Sequence, residues 1–202
     1  MKLLVATTNR GKLAEYCELL ADIDVEWVDL QDVGLGTMEV AETEDTFAAN
    51  AILKARAYCE ASGLLTLADD SGLVVDALEG APGVYSARYG APEVTTDRGR
   101  YEKLLAALQD VPLEKRTARF KCVVALAAPD QEIVTVEGKI EGRIAFSPRG
   151  SNGFGYDPVF LLSDGRTLAE LPSAEKNRIS HRGNALEKAQ PLLIELIKKI
   201  NI

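Results

Sequence analysis

Two adjacent carboxylates, a hydroxyl and a glycine, Asp69-Asp70-Ser71-Gly72, follow directly on the apolar run Leu64-Leu-Thr-Leu-Ala68. That run, placed after a Gly63 helix stop, predicts a buried strand. In an alternating α/β sheet, ligands collect at the carboxyl ends of strands, which is where these four residues stand. Side chains alternate along extended chain, so Asp69 and Asp70 cannot point the same way. One is expected to face a cleft and the other the backbone or a supporting position. The alternative is an Asx turn in which Gly72 supplies positive φ.

Other residues could join that chemistry. Asn9-Arg-Gly-Lys12 lies between a short β-type run, Lys2–Thr7, and a helical pattern of Leu13, Tyr16, Cys17 and Leu20. Strand, glycine-containing turn and helix aim backbone N–H groups at one point, which suits a phosphate. It is not a Walker A loop, because the first glycine is missing and Leu13 follows Lys12. A simple N-cap by Thr8 or Asn9 also explains the pattern. Asn50 and Lys54 interrupt the otherwise apolar face of a helix predicted from about Thr46 to Ser62. There Lys54 either reaches a ligand or snorkels to solvent. With one His and three dispersed cysteines, any metal should be oxygen-bound, Mg²⁺ or Mn²⁺ before zinc.

The elements that position these groups can be read from the pattern. Val25–Val28 is a second strand, and the acidic stretch Asp29 to Asp45 is a loop. Leu73–Leu78 is a strand after the Asp-Asp-Ser-Gly turn, and Thr96 or Asp97 caps a helix through Gln109. Phe120–Ala128 and Glu132–Ile140 form a hairpin. The segment Ser147 to Pro158 is an irregular loop that nevertheless holds Phe154 and Tyr156, either to stack on a planar ligand or to anchor the loop. After a Val159–Leu162 strand, Ser180 caps a last helix with His181 and Arg182 in its first turn, where cations oppose the macrodipole. Pro191 should kink or split that helix at Gln190.

The 202 residues, 47% of them hydrophobic, are enough for one sizeable core or two small lobes sharing a sheet. A net charge of −8 argues against a nucleic-acid polymer or a membrane as partner. The start Met1-Lys-Leu-Leu-Val-Ala6 predicts no signal peptide, and no apolar run has transmembrane length. Cys17, Cys59 and Cys122 are expected to be reduced and packed, in a cytoplasmic protein.

Five fragments in this order and spacing resemble the inosine triphosphate pyrophosphatase family: Thr7-Thr-Asn-Arg-Gly-Lys12, Thr46-Phe-Ala-Ala-Asn-Ala-Ile-Leu-Lys-Ala55, Ala68-Asp-Asp-Ser-Gly-Leu73, Gly153-Phe-Gly-Tyr-Asp-Pro158 and Glu175-Lys-Asn-Arg-Ile-Ser-His-Arg-Gly183. The resemblance covers almost the whole chain. It implies one α/β domain over 1–202: a long central mixed sheet flanked by helices, two lobes, and an active-site cleft between them. It also implies Mg²⁺-dependent hydrolysis of deaminated purine nucleoside triphosphates (ITP, dITP, XTP) to the monophosphate and pyrophosphate, by a homodimer. By position, Asp70 matches the proton acceptor and a metal ligand, and Glu42 a second metal ligand. Thr7, Thr8, Asn9, Arg10, Gly11 and Lys12 match the triphosphate loop, Lys54 a second phosphate-facing lysine, and Ser71 a substrate contact. Phe154, Gly155, Tyr156, Asp157, Lys176, His181 and Arg182 match the base-binding residues. Thr8, where a glycine is common, and Pro191 are the departures.

Lys176, Arg182 and a suitably protonated His181 are donors, so they would accept a 6-oxo purine and reject adenine. The alternatives are a relative acting on modified pyrimidine nucleotides and a nucleotide-binding module without turnover. A Ser71–His181–Asp hydrolase is a further one, and it lacks a Gly-x-Ser-x-Gly elbow.

Overall fold

The computed structural model describes residues 1–200. Six strands form one mixed sheet in the order β2-β1-β3-β4-β5-β6. They are β1 (Lys2–Val5), β2 (Glu26–Val28), β3 (Leu65–Val75), β4 (Thr117–Ala127), β5 (Val134–Ile144) and β6 (Phe160–Leu161). β1 runs parallel to β2, with Leu4 opposite Val28, and parallel to β3, with Val5 opposite Leu67. β5 and β6 are antiparallel, with Ile144 opposite Phe160. The helices are α1 (Arg10–Leu19), α2 (Phe47–Ser62), α3 (Asp97–Ala107), α4 (Ser173–Ile179) and α5 (His181–Ile200).

The chain divides into two compact units. The first holds Met1–Asp70, Cys122–Gly138 and the chain from Arg182 onward; the second holds Ser71–Lys121 and Lys139–His181. Period-two alternation gives the first unit a core on each side of its strands. Leu3, Val5, Leu65, Leu67, Val124 and Leu126 pack with Tyr16, Leu20 and the α5 residues Ala185, Ala189 and Leu193. Leu4, Ala6, Ala68, Val123 and Ala125 pack with Ala51, Ala55 and Tyr58 of α2. The second unit closes around Leu73, Val75, Leu104, Leu108, Phe120, Tyr156 and Phe160.

α2 follows its sequence signals closely. Thr46 accepts from Ala49 N at 3.1 Å as N-cap, and Gly63 ends the helix at φ 67°, a conformation that costs glycine nothing.

Four expectations are corrected. Asp69-Asp70-Ser71-Gly72 is not a turn between two strands but the middle of β3, and Gly72 is not among the glycines at positive φ. Apolar residues on both sides, Leu65–Ala68 and Leu73–Val75, hold the polar residues in register. Next, β1 stops at Val5 rather than Thr7, and of the two readings of Asn9–Lys12 the helix cap holds, with Asn9 as N-cap of α1. Pro191 does not split α5. The lost hydrogen bond and ring clash cost ~3 kcal/mol, whereas burying Leu193 and Leu196 beyond the proline gains about 1.5–3 kcal/mol each. Finally, Cys17 is exposed, and only Cys59 and Cys122 are packed. No helix among the described residues is long and apolar enough to cross a membrane.

Candidate active site

In the β1–α1 connection, Asn9 is the cap. Its Oδ1 accepts from Gly11 N at 2.9 Å and from Lys12 N at 3.1 Å. Thr7 Oγ1 in turn accepts from Asn9 N at 3.2 Å. A cap of this kind stabilises a helix start by ~1 kcal/mol, and here it fixes where α1 begins. Thr8, Asn9 and Arg10 are exposed, while Thr7, Gly11 and Lys12 are half-buried. Lys12 turns inward and its Nζ meets Asp69 Oδ2 at 2.7 Å.

Alternation along β3 sends the two adjacent carboxylates to different partners. Asp69 has Lys12, the Arg182 guanidinium at 3.8 Å, and the Cys122 thiol at 3.8 Å. Burial alone would raise its pKa, but Lys12, Arg182 and Lys54 outweigh burial and hold Asp69 far below the ordinary carboxylate range. The same carboxylate, added to burial, pushes the Cys122 thiol up to about 12, so that cysteine stays protonated.

Asp70 sits among residues from α2 and the acidic loop. Its Oδ2 accepts from Asn50 Nδ2 at 3.1 Å, and Lys54 Nζ lies 3.9 Å from Oδ1. Lys54 also donates to Glu42. Asn50 additionally bonds both backbone groups of Glu44, at 3.0 and 3.1 Å, and so ties the acidic loop to α2. Burial, with the Glu42 charge added, raises the Asp70 pKa despite the cations nearby. Lys54 shows the reverse balance: burial pulls its pKa down, and the carboxylates of Asp69, Asp70 and Glu42 bring it net upward. Its side chain is 12% exposed, so it does not snorkel. Consecutive aspartates thus have opposite shifts.

Asp70 and Glu42 together are a hard, all-oxygen donor pair held near one lysine. Among the described residues no three or more His, Cys, Asp or Glu gather as a metal cage. Two carboxylates without Cys or His beside them are a donor set that would suit a hard cation such as Mg²⁺ better than zinc.

In the second unit, the loop before β6 is fixed by carboxylates bonded to its backbone. Asp157 Oδ2 accepts from Phe154 N at 2.9 Å and pairs with Lys176 Nζ at 2.6 Å. Asp97 Oδ2, on α3, accepts from Gly155 N at 2.8 Å. Gly153 stands at φ 74°, and a Cβ there would lie 2.1 Å from Asp157 Oδ2, so only glycine lets that oxygen approach. Lys176 Nζ lies 4.8 Å from the Phe154 ring centroid. His181 is buried and stacks on Phe120 at 4.8 Å with 14° between planes. Ser71 is half-buried on β3.

Two of the residues matched to the base have protein partners that the sequence did not assign. Tyr156 is buried in the core of the second unit and donates its hydroxyl to Ser86 O at 2.8 Å. Of the two readings open from the sequence, its burial and this bond fit the loop anchor. Arg182, expected at the base, donates to Glu15 and lies beside Asp69 in the first unit. A buried guanidinium needs carboxylate partners, and Glu15 and Asp69 are the ones it finds. Glu15 and Asp97 went unassigned from the sequence. Glu15 lies three residues after Lys12 on the same helix, a spacing that puts both on one face. Asp97 appeared only as a possible helix cap, and nothing local marks its bond to Gly155.

The Ham1 family model matches residues 3–192. A relative from Bacillus licheniformis named dITP/XTP pyrophosphatase is 49% identical over 193 residues, covering 95% of this chain and 97% of that protein. One of the same name from Desulforamulus reducens is 51% identical over 197 residues, 97% of each chain. A solved HAM1 protein from Coxiella burnetii superposes with a TM-score of 0.87 at 44% identity, over 96% of this chain and 99% of that one.

Proposed function

This chain belongs to the Ham1 family, and on that premise we propose that it is a nucleoside-triphosphate diphosphatase that hydrolyses deaminated purine nucleoside triphosphates. ITP, dITP and XTP go to the monophosphate and pyrophosphate, which clears them from the nucleotide pool. The observation that carries the chemistry is Asp70, a buried carboxylate bracketed by Asn50, Lys54 and Glu42.

Asp70 accepts the proton of the attacking water; burial and the Glu42 charge raise its pKa from the ordinary carboxylate value, which makes it a stronger base. Lys12 and Lys54 are set to stabilise charge on the phosphates as the pyrophosphate leaves, and the capped start of α1, Thr7 to Gly11, presents the loop along which the triphosphate lies. Asp70 and Glu42 would hold Mg²⁺, which supplies Lewis-acid neutralisation of phosphate oxygens. Ser71 follows Asp70 directly and contacts the same substrate.

Phe154, Gly155, Tyr156, Asp157, Lys176, His181 and Arg182 are the residues that take the base. Donors directed at a 6-oxo group favour hypoxanthine and xanthine and leave adenine's amino group facing donors. Guanine is excluded at its 2-amino side by crowding from the 153–157 loop. We infer a cytoplasmic homodimer, in line with the family resemblance and with free cysteines that suit a reducing compartment.

Pyrophosphate release measured across ITP, XTP, dITP, dUTP, GTP and ATP, with and without Mg²⁺, tests this. ITP, dITP and XTP are expected to be good substrates, GTP poor and ATP poorest, all requiring Mg²⁺. Equal kcat/KM for ATP and ITP would sink the base selection, and a preference for dUTP would move the protein to a pyrimidine-specific activity.

A further inference from the structure

Asn50, near the start of α2, is fully buried, and both ends of its amide are bonded. Oδ1 accepts from Glu44 N at 3.0 Å, and Nδ2 donates to Glu44 O at 3.1 Å. An amide oxygen cannot donate and an amide NH₂ cannot accept, so these two bonds forbid the group from flipping. The donor end is therefore committed to one direction, and there it also meets Asp70 Oδ2, at 3.1 Å. A tie for the acidic loop alone would need only a backbone partner, such as the Tyr58 hydroxyl has in Met38 O at 2.8 Å. The bond to Asp70 does something else. It joins the segment that carries Glu42 to the strand that carries Asp70.

We propose that Asn50 is a positioning residue for the divalent-cation site: it fixes Asp70 and the Glu42-bearing segment against each other, so that both carboxylates stand ready before a metal arrives. This rests on Asp70 and Glu42 being the metal ligands. Asn50 is not itself a ligand in this scheme, because its one oxygen is turned to Glu44 N. It acts through Asp70 Oδ2 and the Glu44 backbone. Without it, Glu44, which is exposed, can turn its backbone groups to water, so the chain keeps its fold. The incoming cation must then order the two acids itself, which weakens its binding.

The experiment titrates nucleotide-free protein with Mn²⁺, read by the electron paramagnetic resonance signal of the free ion. Wild type, Asn50→Ala, Asp70→Asn, Glu42→Gln and the Asn50→Ala/Asp70→Asn double variant are compared, with thermal melts of each. Asn50→Ala is expected to raise the Mn²⁺ dissociation constant about tenfold. The Mg²⁺ concentration that gives half-maximal ITP turnover should rise by a similar factor. In the Asp70→Asn background the same substitution should change the dissociation constant by less than about threefold, because the carboxylate it aligns is gone.

A lowered melting temperature in Asn50→Ala with Mn²⁺ affinity unchanged, while Asp70→Asn and Glu42→Gln weaken it, would make Asn50 a tie for the loop alone. An equal loss of affinity with and without Asp70 would show that it acts elsewhere, and either result overturns the proposal. If Asn50→Ala does not fold, Asn50→Ser in the same cycle decides between these outcomes. If Asp70→Asn and Glu42→Gln both bind Mn²⁺ as wild type does, the metal assignment itself fails, and the proposal with it.

Discussion

Around Asp69 and Asp70, the first unit sets charges against one another. Lysines, an arginine and acids from α1, the acidic loop, α2, β3 and α5 lie within a few ångströms, and their pKa values are driven in opposite directions. Around residues 153–157, the second unit spends its carboxylates differently. Asp157 and Asp97 accept from consecutive backbone N–H groups, and the buried Lys176–Asp157 ion pair fixes a loop. The first arrangement can move protons and stabilise phosphate charge, and the second can hold a shape. A neutral isostere should therefore be costly to the reaction in the first region, and to stability or base choice in the second.

The sharpest test of that contrast is Asp70→Asn. It should fold and lose turnover on the order of thousands-fold, about 4 kcal/mol of barrier. Near wild-type pyrophosphate release from a folded variant would erase the distinction. Asp157→Ala should act through stability instead, leaving Lys176 buried without its acid at a cost of ~3 kcal/mol, read by urea unfolding. If it unfolds at the wild-type midpoint, the second region is not held by its charges.

Lys54→Ala removes one charge-assisted contact, ~2 kcal/mol or about 30-fold in kcat/KM, with little change in melting temperature. Asp97→Ala, which frees Gly155 N–H, should cost ~1 kcal/mol and show chiefly in the ITP-to-GTP ratio, with kcat for ITP nearly kept. An equal loss on both substrates would place Asp97 with the phosphate chemistry.

A smaller effect should appear in the acid limb of unfolding. The Asp69 pKa is lowered in the folded protein, so its stabilising share is present above the unfolded value of 3.8 and fades as pH falls toward the folded one. The Asp70 pKa is raised, so the protein gains from its protonation as pH falls toward 3.8. Asp69→Asn should flatten the acid loss in urea melts, and Asp70→Asn should steepen it.

Much of this was legible in the chain. α2 carried its own start and stop, Thr46 and Gly63, and the apolar run to Ala68 marked β3. The inverse placement of Asp69 and Asp70 followed from strand geometry alone. What remained hidden depended on partners far away in sequence. Asp69 meets Lys12, 57 residues earlier, and Arg182 meets Glu15 across 167 residues. No local signal tells which carboxylates a buried guanidinium will meet. The Asp-Asp-Ser-Gly segment was misread for a related reason. Its residue types favour turns, and only the apolar packing on both sides of it shows that sheet register overrides that preference.

One consequence of β3 concerns inheritance. Because the two aspartates owe their separate partners to a period of two, their roles are assigned by counting along the chain. Inserting or deleting a single residue between Leu65 and Ala68 would carry each acid to the other's side of the sheet, handing the Lys12 partner to one and the Asn50 partner to the other while every residue type stayed the same. Descendants of this gene can exchange side chains in that segment, but they cannot change its length.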